Sequence, residues 1–109
     1  MALNETLAAR IRALVATVPG IAEKKMFGGL AFLLNGNMSV GVHGSELIVR
    51  IEPDATESCL QEPGVRIFDI TGKPMKGWLL ISSAALSQKK TLAAWVKRGL
   101  AYAGSLPAK

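Results

Sequence analysis

Two tight reversals, at Asn35-Gly36 and Gly44-Ser45, constrain this chain more than any other feature. Both central residues of a type I′ hairpin turn need positive φ, which Asn and Gly tolerate best, and a type II′ turn needs Gly in first place. Taking each turn as two residues sets the pairing. Leu33 then faces Met38 and Ala31 faces Val40 across the first. Across the second, Val42 faces Leu47, Val40 faces Val49 and Met38 faces Ile51. Opposed residues share one face of a sheet, so Ala31, Leu33, Met38, Val40, Val42, Leu47, Val49 and Ile51 are expected on a single apolar side. The other side mixes Leu30, Phe32, Leu34 and Ile48 with Asn37, Ser39, Gly41 and Arg50. That side needs a cover: a helix, the chain's own ends, or a partner or second copy.

Helices flank this meander. Leu7, Ile11, Leu14, Val15 and Val18 recur at three- and four-residue spacing, predicting a helix over Asn4–Val18 with Asn4 as N-cap and Pro19-Gly20 as its stop. After Pro53, Asp54–Glu62 reads as a short helix capped by Asp54 or Thr56 and ended by Pro63-Gly64. Val65–Ile70 and Trp78–Ser82 read as strands joined by the turn-rich stretch Thr71–Gly77. A last helix over Ser87–Ala103 turns Leu92, Trp95, Val96, Leu100 and Ala103 to one side. It tolerates Gly99 at a cost of about 1 kcal/mol relative to Ala. The order α-β-β-β-α-β-β-α predicts an α+β fold, an antiparallel sheet with helices packed on it, in a single domain over residues 1–109.

With 109 residues, half of them hydrophobic, the chain has material for one core. Cys59 is the only cysteine, so no internal disulfide forms, which suits a reducing compartment. The amino-terminal segment carries Glu5, Arg10 and Arg12 rather than a secretion-type apolar run. No stretch approaches the ~20 apolar residues of a membrane span. The expected location is the cytoplasm, without membrane contact. The net charge of +5 comes from 13 basic and 8 acidic residues dispersed along the chain. It favours acidic partners by steering without specifying them.

Reaction chemistry finds little footing. Gly28-Gly29 lacks the following Lys and Ser or Thr of a phosphate loop and reads as close backbone approach within a strand. His43 is the sole histidine and sits beside a turn, short of the three or four ligands of a metal site. Cys59 has no base supplied by a motif, and Glu52, Asp54 and Asp69 read as strand ends and a cap. The expectation is therefore a chain without catalytic residues, cofactor or metal. Basic residues cluster at Lys24-Lys25, Lys73 with Lys76, Lys89-Lys90 and Lys97-Arg98, which read as solvated surface or as a footprint for DNA. Met75 and Trp78, beside Lys76-Gly77, read either as the end of the core or as anchors for a partner.

The run Lys25-Met26-Phe27-Gly28-Gly29 resembles the start of the TfoX/Sxy N-terminal domain, a family of bacterial regulators of competence genes. Leu47-Ile48-Val49-Arg50, Gly72-Lys73-Pro74-Met75 and Trp95 follow in the family's order, and the resemblance runs from about Ala9 to Leu106. It implies an α+β fold and a role in transcriptional regulation through protein contacts, with Met26, Phe27, Gly28 and Gly29 as structural motif residues. Longer members carry a second, helical domain, so this chain reads as a standalone form. Where many members have strand tyrosines, it has Ala31, Phe32 and Leu79.

These readings converge on a protein-interaction module. Its expected partner surface is Phe32, Leu34, Ile48 and Arg50 with Lys73, Met75, Lys76 and Trp78. The partner is a protein of unknown identity, such as the transcription machinery, or a second copy. Direct DNA binding through the basic clusters is the alternative, and a small-molecule or enzymatic role a third.

Overall fold

Both reversals form as their residues dictate. Asn35 and Gly36 have φ of 52° and 85°, and Gly44 has φ of 61°. The computed structural model describes residues 5–26, 29–68 and 75–108, and only the backbone of Met26 and Met75. Along the chain run α1 (Glu5–Val15), β1 (Ile21–Met26), β2 (Gly29–Leu34), β3 (Asn37–His43) and β4 (Glu46–Arg50). A 3₁₀ turn (Pro53–Ala55) leads into α2 (Thr56–Cys59). Then come β5 (Val65–Phe68), β6 (Met75–Ile81), a second 3₁₀ turn (Ser83–Leu86) and α3 (Lys89–Ser105). The fold is α+β, with all six strands in one antiparallel sheet of order β1-β2-β3-β4-β6-β5. Asn4, the expected cap of α1, and Asp69-Ile70, the expected end of β5, lie outside the described residues.

One strand was not anticipated. Residues 21–26 pair with β2 from Ile21↔Leu34 to Met26↔Gly29 and form an edge of the sheet. Its Glu23, Lys24 and Lys25 are exposed, and charges on an edge strand oppose pairing with other chains. Arg12 of α1 holds Glu23 through two hydrogen bonds of 2.9 Å, tying helix to edge. Those bonds, and the charge of Glu23, push the Arg12 guanidinium further above its ordinary range.

The register expected from the turns holds at Leu33↔Met38, Val42↔Leu47 and Val40↔Val49, then departs. Between Phe32 and Leu33 the β2–β3 ladder shifts, so Phe32 and not Ala31 faces Val40. Ser39 is the extra residue. Its Oγ donates a 2.9 Å hydrogen bond to the Phe32 carbonyl, closing the bulge from within. The shift exchanges faces. Leu30 and Phe32 join Val40, Val42, Leu47, Val49 and Ile51 in the main core, under Leu7, Ile11 and Val15 of α1 and Leu92, Trp95 and Val96 of α3. Ala31, Leu33 and Met38 pass to the opposite face, where Ala31 and Met38 are buried with Ile48, Phe68 and Leu80. The expected single apolar side is therefore two clusters, one on each face. The expected Met38–Ile51 pairing is absent, because the β3–β4 ladder ends at Val40↔Val49.

Gly99 explains itself at the same bulge. A Cβ there would lie 2.6 Å from the Ser39 carbonyl oxygen and 2.7 Å from Val40 Cγ1. The absent side chain lets α3 press directly on the bulged strand. The family-motif Gly29 has a comparable constraint, its Cβ position lying 1.9 Å from the Val42 carbonyl oxygen. Phe27 and Gly28 lie outside the described residues. Gly99→Ala gains about 1 kcal/mol of helix propensity but forces a clash costing about 1–3 kcal/mol. Urea unfolding should therefore show a net loss of stability, and a gain would mean that α3 does not touch the bulge.

Candidate functional site

The residues expected on the partner surface divide sharply. Phe32, at 0% exposure, lies in the main core, and Leu34 is buried with Cδ1 and Cδ2 directed at the Gly20 and Gly104 backbones. Both leave the surface, because the bulge turns the β2 set Leu30, Phe32 and Leu34 toward the helices. Ile48 stays on the far face but is 1% exposed and part of the second cluster. Arg50 and Trp78 remain half-exposed on that far face, directly opposite one another on β4 and β6. Lys76 is exposed. Met75 begins β6, and Lys73 lies outside the described residues.

Arg50 is the centre of what remains. Its guanidinium carbon lies 5.1 Å from the Trp78 ring centroid and 5.5 Å from that of Tyr102, the sole tyrosine, on α3. Both are cation–π distances. The Trp78 ring in turn lies 6.2 Å from Phe68, whose side chain is fully buried. Arg50 thus reaches from the far face to α3 just past the point where the β3–β4 ladder ends. Among the described residues its side chain has no hydrogen-bond or ion-pair partner, whereas Arg12, Arg66 and Arg98 are held by Glu23, Glu46 and Glu52. Glu52, two residues along the chain from Arg50, is thereby already engaged at 3.2 Å by Arg98. Two aromatic faces and an unclaimed N–H edge leave Arg50 pre-oriented for a planar acceptor. Tyr102 gave no sequence signal, since nothing in a helical pattern links it to a strand arginine so far away along the chain.

The strand that carries Trp78 is pinned by Thr56. The Gly77 N–H donates to Thr56 Oγ1 at 2.7 Å, and that hydroxyl donates to the Pro53 carbonyl at 2.8 Å. The Gly77 carbonyl accepts the Ile51 N–H at 2.8 Å. With φ of 85°, and a Cβ position 2.9 Å from the Ile51 carbonyl oxygen, position 77 is restricted to glycine. Thr56, read from sequence as a cap, is instead a buried bridge between the Pro53 turn and β6.

Other candidates are less developed. Burial pushes the Cys59 thiol above its ordinary range, against a smaller opposite pull from Arg98. A thiol kept protonated at neutral pH is a poor nucleophile. His43 is half-buried at the end of β3, opposite Glu46. Among the described residues no three of His, Cys, Asp and Glu converge as metal ligands. A groove of about 320 Å³ runs beside α3 between Glu62, Thr91 and Trp95, with Lys90 and Arg98 on its rim. That is the low end of ligand-site volumes. Its polar groups sit on exposed or half-buried side chains, so a small molecule there would keep much of its surface in water. Lys24-Lys25 lie on the β1 edge and Lys89-Lys90 at the start of α3, on separate elements. No helix is long and apolar enough to cross a membrane among the described residues.

Thr56→Val leaves the buried Gly77 N–H without an acceptor and should cost about 1–3 kcal/mol, with a change in Trp fluorescence. Thr56→Ser, keeping the hydroxyl, should lose much less. Equal losses in calorimetric unfolding would mean that packing of the Thr56 methyl, and not this bridge, holds the strand.

Residues 13–103 match the model of the TfoX N-terminal domain. No curated protein and no solved structure matches the chain significantly. The match takes in every strand, α2 and α3 as far as Ala103, and with it Arg50, Trp78 and Tyr102. On that coverage the chain belongs to the TfoX N-terminal domain family.

Proposed function

We propose that this protein is a regulatory protein-interaction module, acting in bacterial transcriptional control of the competence type by contacting a protein partner through the face around Arg50. The observation that carries the reading is the convergence of Arg50, Trp78 and Tyr102. Arg, Trp and Tyr are the residue types most enriched among interface hot spots. A chain with six aromatic residues in all places its only tyrosine and one of its two tryptophans on a single arginine. Leu33, packed at the margin of the second cluster and half-exposed, adds apolar surface on the same face as Arg50 and Trp78. Family membership supports the regulatory setting.

The surface differs from the one expected from sequence: Phe32 and Leu34 give way to Tyr102 and Leu33, and Arg50, Trp78 and Lys76 remain. An anchor of this kind has its ring faces already fixed before contact, which lowers the ordering cost of association. Binding as the working principle asks nothing of the protonated Cys59 or of the half-buried His43.

Affinity capture from the native host, read by mass spectrometry, tests this. A protein of the transcription apparatus or one of its regulators should be retained by the wild-type chain. Losing a hot spot worth about 2 kcal/mol weakens binding roughly thirtyfold, so that protein should be depleted on both Trp78→Ala and Arg50→Ala. Circular dichroism should show both variants folded. The same set of proteins on all three baits would contradict the reading.

A further inference from the structure

We propose that the group seated on Arg50 is a carboxylate, carried by an acidic segment of the partner protein in which Asp or Glu alternates with apolar residues. This rests on the reading of that face as a protein-contact surface and goes beyond it by naming the chemistry of the partner.

Three features point to it. The first is geometry. The Trp78 and Tyr102 rings both lie within cation–π distance of the guanidinium carbon, and the side-chain N–H groups, which no described residue accepts from, match the two oxygens of a carboxylate in a bidentate fork. The second is charge. Among the described residues no carboxylate lies within ion-pair distance of Arg50, and Glu52, the acid nearest it along the chain, is already engaged by Arg98. The exposed Lys76, two residues before Trp78 on the same strand, adds positive charge, and the net charge of +5 favours approach of an acidic chain. The third is the apolar margin. The half-exposed Leu33 and Trp78 provide a surface for the alternating apolar residues, which a phosphate backbone does not offer.

The same features weigh against nucleic acid at this place. Phosphate-backbone binding draws on many unpaired cations laid along a path. Here three arginines are neutralised by glutamates, and the exposed lysine pairs lie apart on the β1 edge and the start of α3.

The test is a titration of isotope-labelled protein, followed by NMR at the Trp78 indole N–H and the Arg50 side-chain N–H. The probes are a short synthetic peptide alternating Asp with Leu, the same peptide with Asn for Asp, and a short DNA duplex. The acidic peptide should shift both signals saturably, and less so as salt is raised. Arg50→Lys, which keeps the charge and loses the fork, should weaken it about tenfold, and Arg50→Gln further, with both variants folded by circular dichroism. Equal binding of the Asn peptide would overturn the proposal, as would no shift from the acidic peptide into the low-millimolar range. Saturable shifts from the duplex alone would make the ligand a phosphate. Shifts that grow with the protein's own concentration would make it a second copy. Either result overturns the proposal as well. If host capture still depends on Trp78 while the acidic peptide fails, the carboxylate falls and the protein-contact reading stands.

Discussion

The hydrogen bond from Ser39 Oγ to the Phe32 carbonyl holds one extra residue in β3, and the placement of side chains on both faces of the sheet follows from it. Without the bulge, Phe32 would stand on the far face and Ala31 under the helices. With it, a phenylalanine fills the space beneath α1 and α3, while Ala31 and Met38 go to the second cluster. A register shift of one residue costs nothing in backbone pairing elsewhere, yet it moves a whole set of side chains across the sheet. α3 is fitted to the same spot. Gly99 presents bare backbone to the Ser39 carbonyl, so the helix sits closer than any other residue would permit.

The site inherits its form from this arrangement. The β3–β4 ladder stops at Val40↔Val49, and beyond it β4 is held on its other side by the pairing of Arg50 with Trp78. Arg50 can then approach Trp78 on β6 and Tyr102 on α3 together. Thr56 and Gly77 fix the backbone immediately before Trp78, and the buried Phe68 supports its ring. Rigid elements therefore hold an arginine whose charge no described residue neutralises. Arg12, Arg66 and Arg98, by contrast, are each paired with a glutamate.

Much of the fold was legible because local chemistry decides it. Asn35, Gly36 and Gly44 adopt the positive φ that their turns demand, and Leu7, Ile11, Val15, Leu92, Trp95 and Val96 mark the inner faces of α1 and α3. The bulge was not legible. Met38, Val40 and Val42 alternate as a regular strand would, and β2 is apolar on both faces, so alternation did not reveal which set lies inside. Only the pairing of Ser39 with Phe32 and Gly99 distinguishes the two, and that is tertiary. β1 was missed because an edge strand made of Glu23, Lys24 and Lys25 carries no apolar alternation. For the site, Arg50 and Trp78 stood out as charged and aromatic strand residues, but Tyr102 joins them only once α3 is packed. The one sequence hint of the bulge was Gly99, a helix breaker retained in the middle of an amphipathic helix.

The register at Ser39 is the claim on which this account depends, and cross-strand NOEs report it directly. The account predicts contacts between the Phe32 ring and the Val40 methyls, with backbone contacts placing Phe32 opposite Val40 and Leu33 opposite Met38. Contacts between the Ala31 and Val40 methyls, with the Phe32 ring in water, would contradict it.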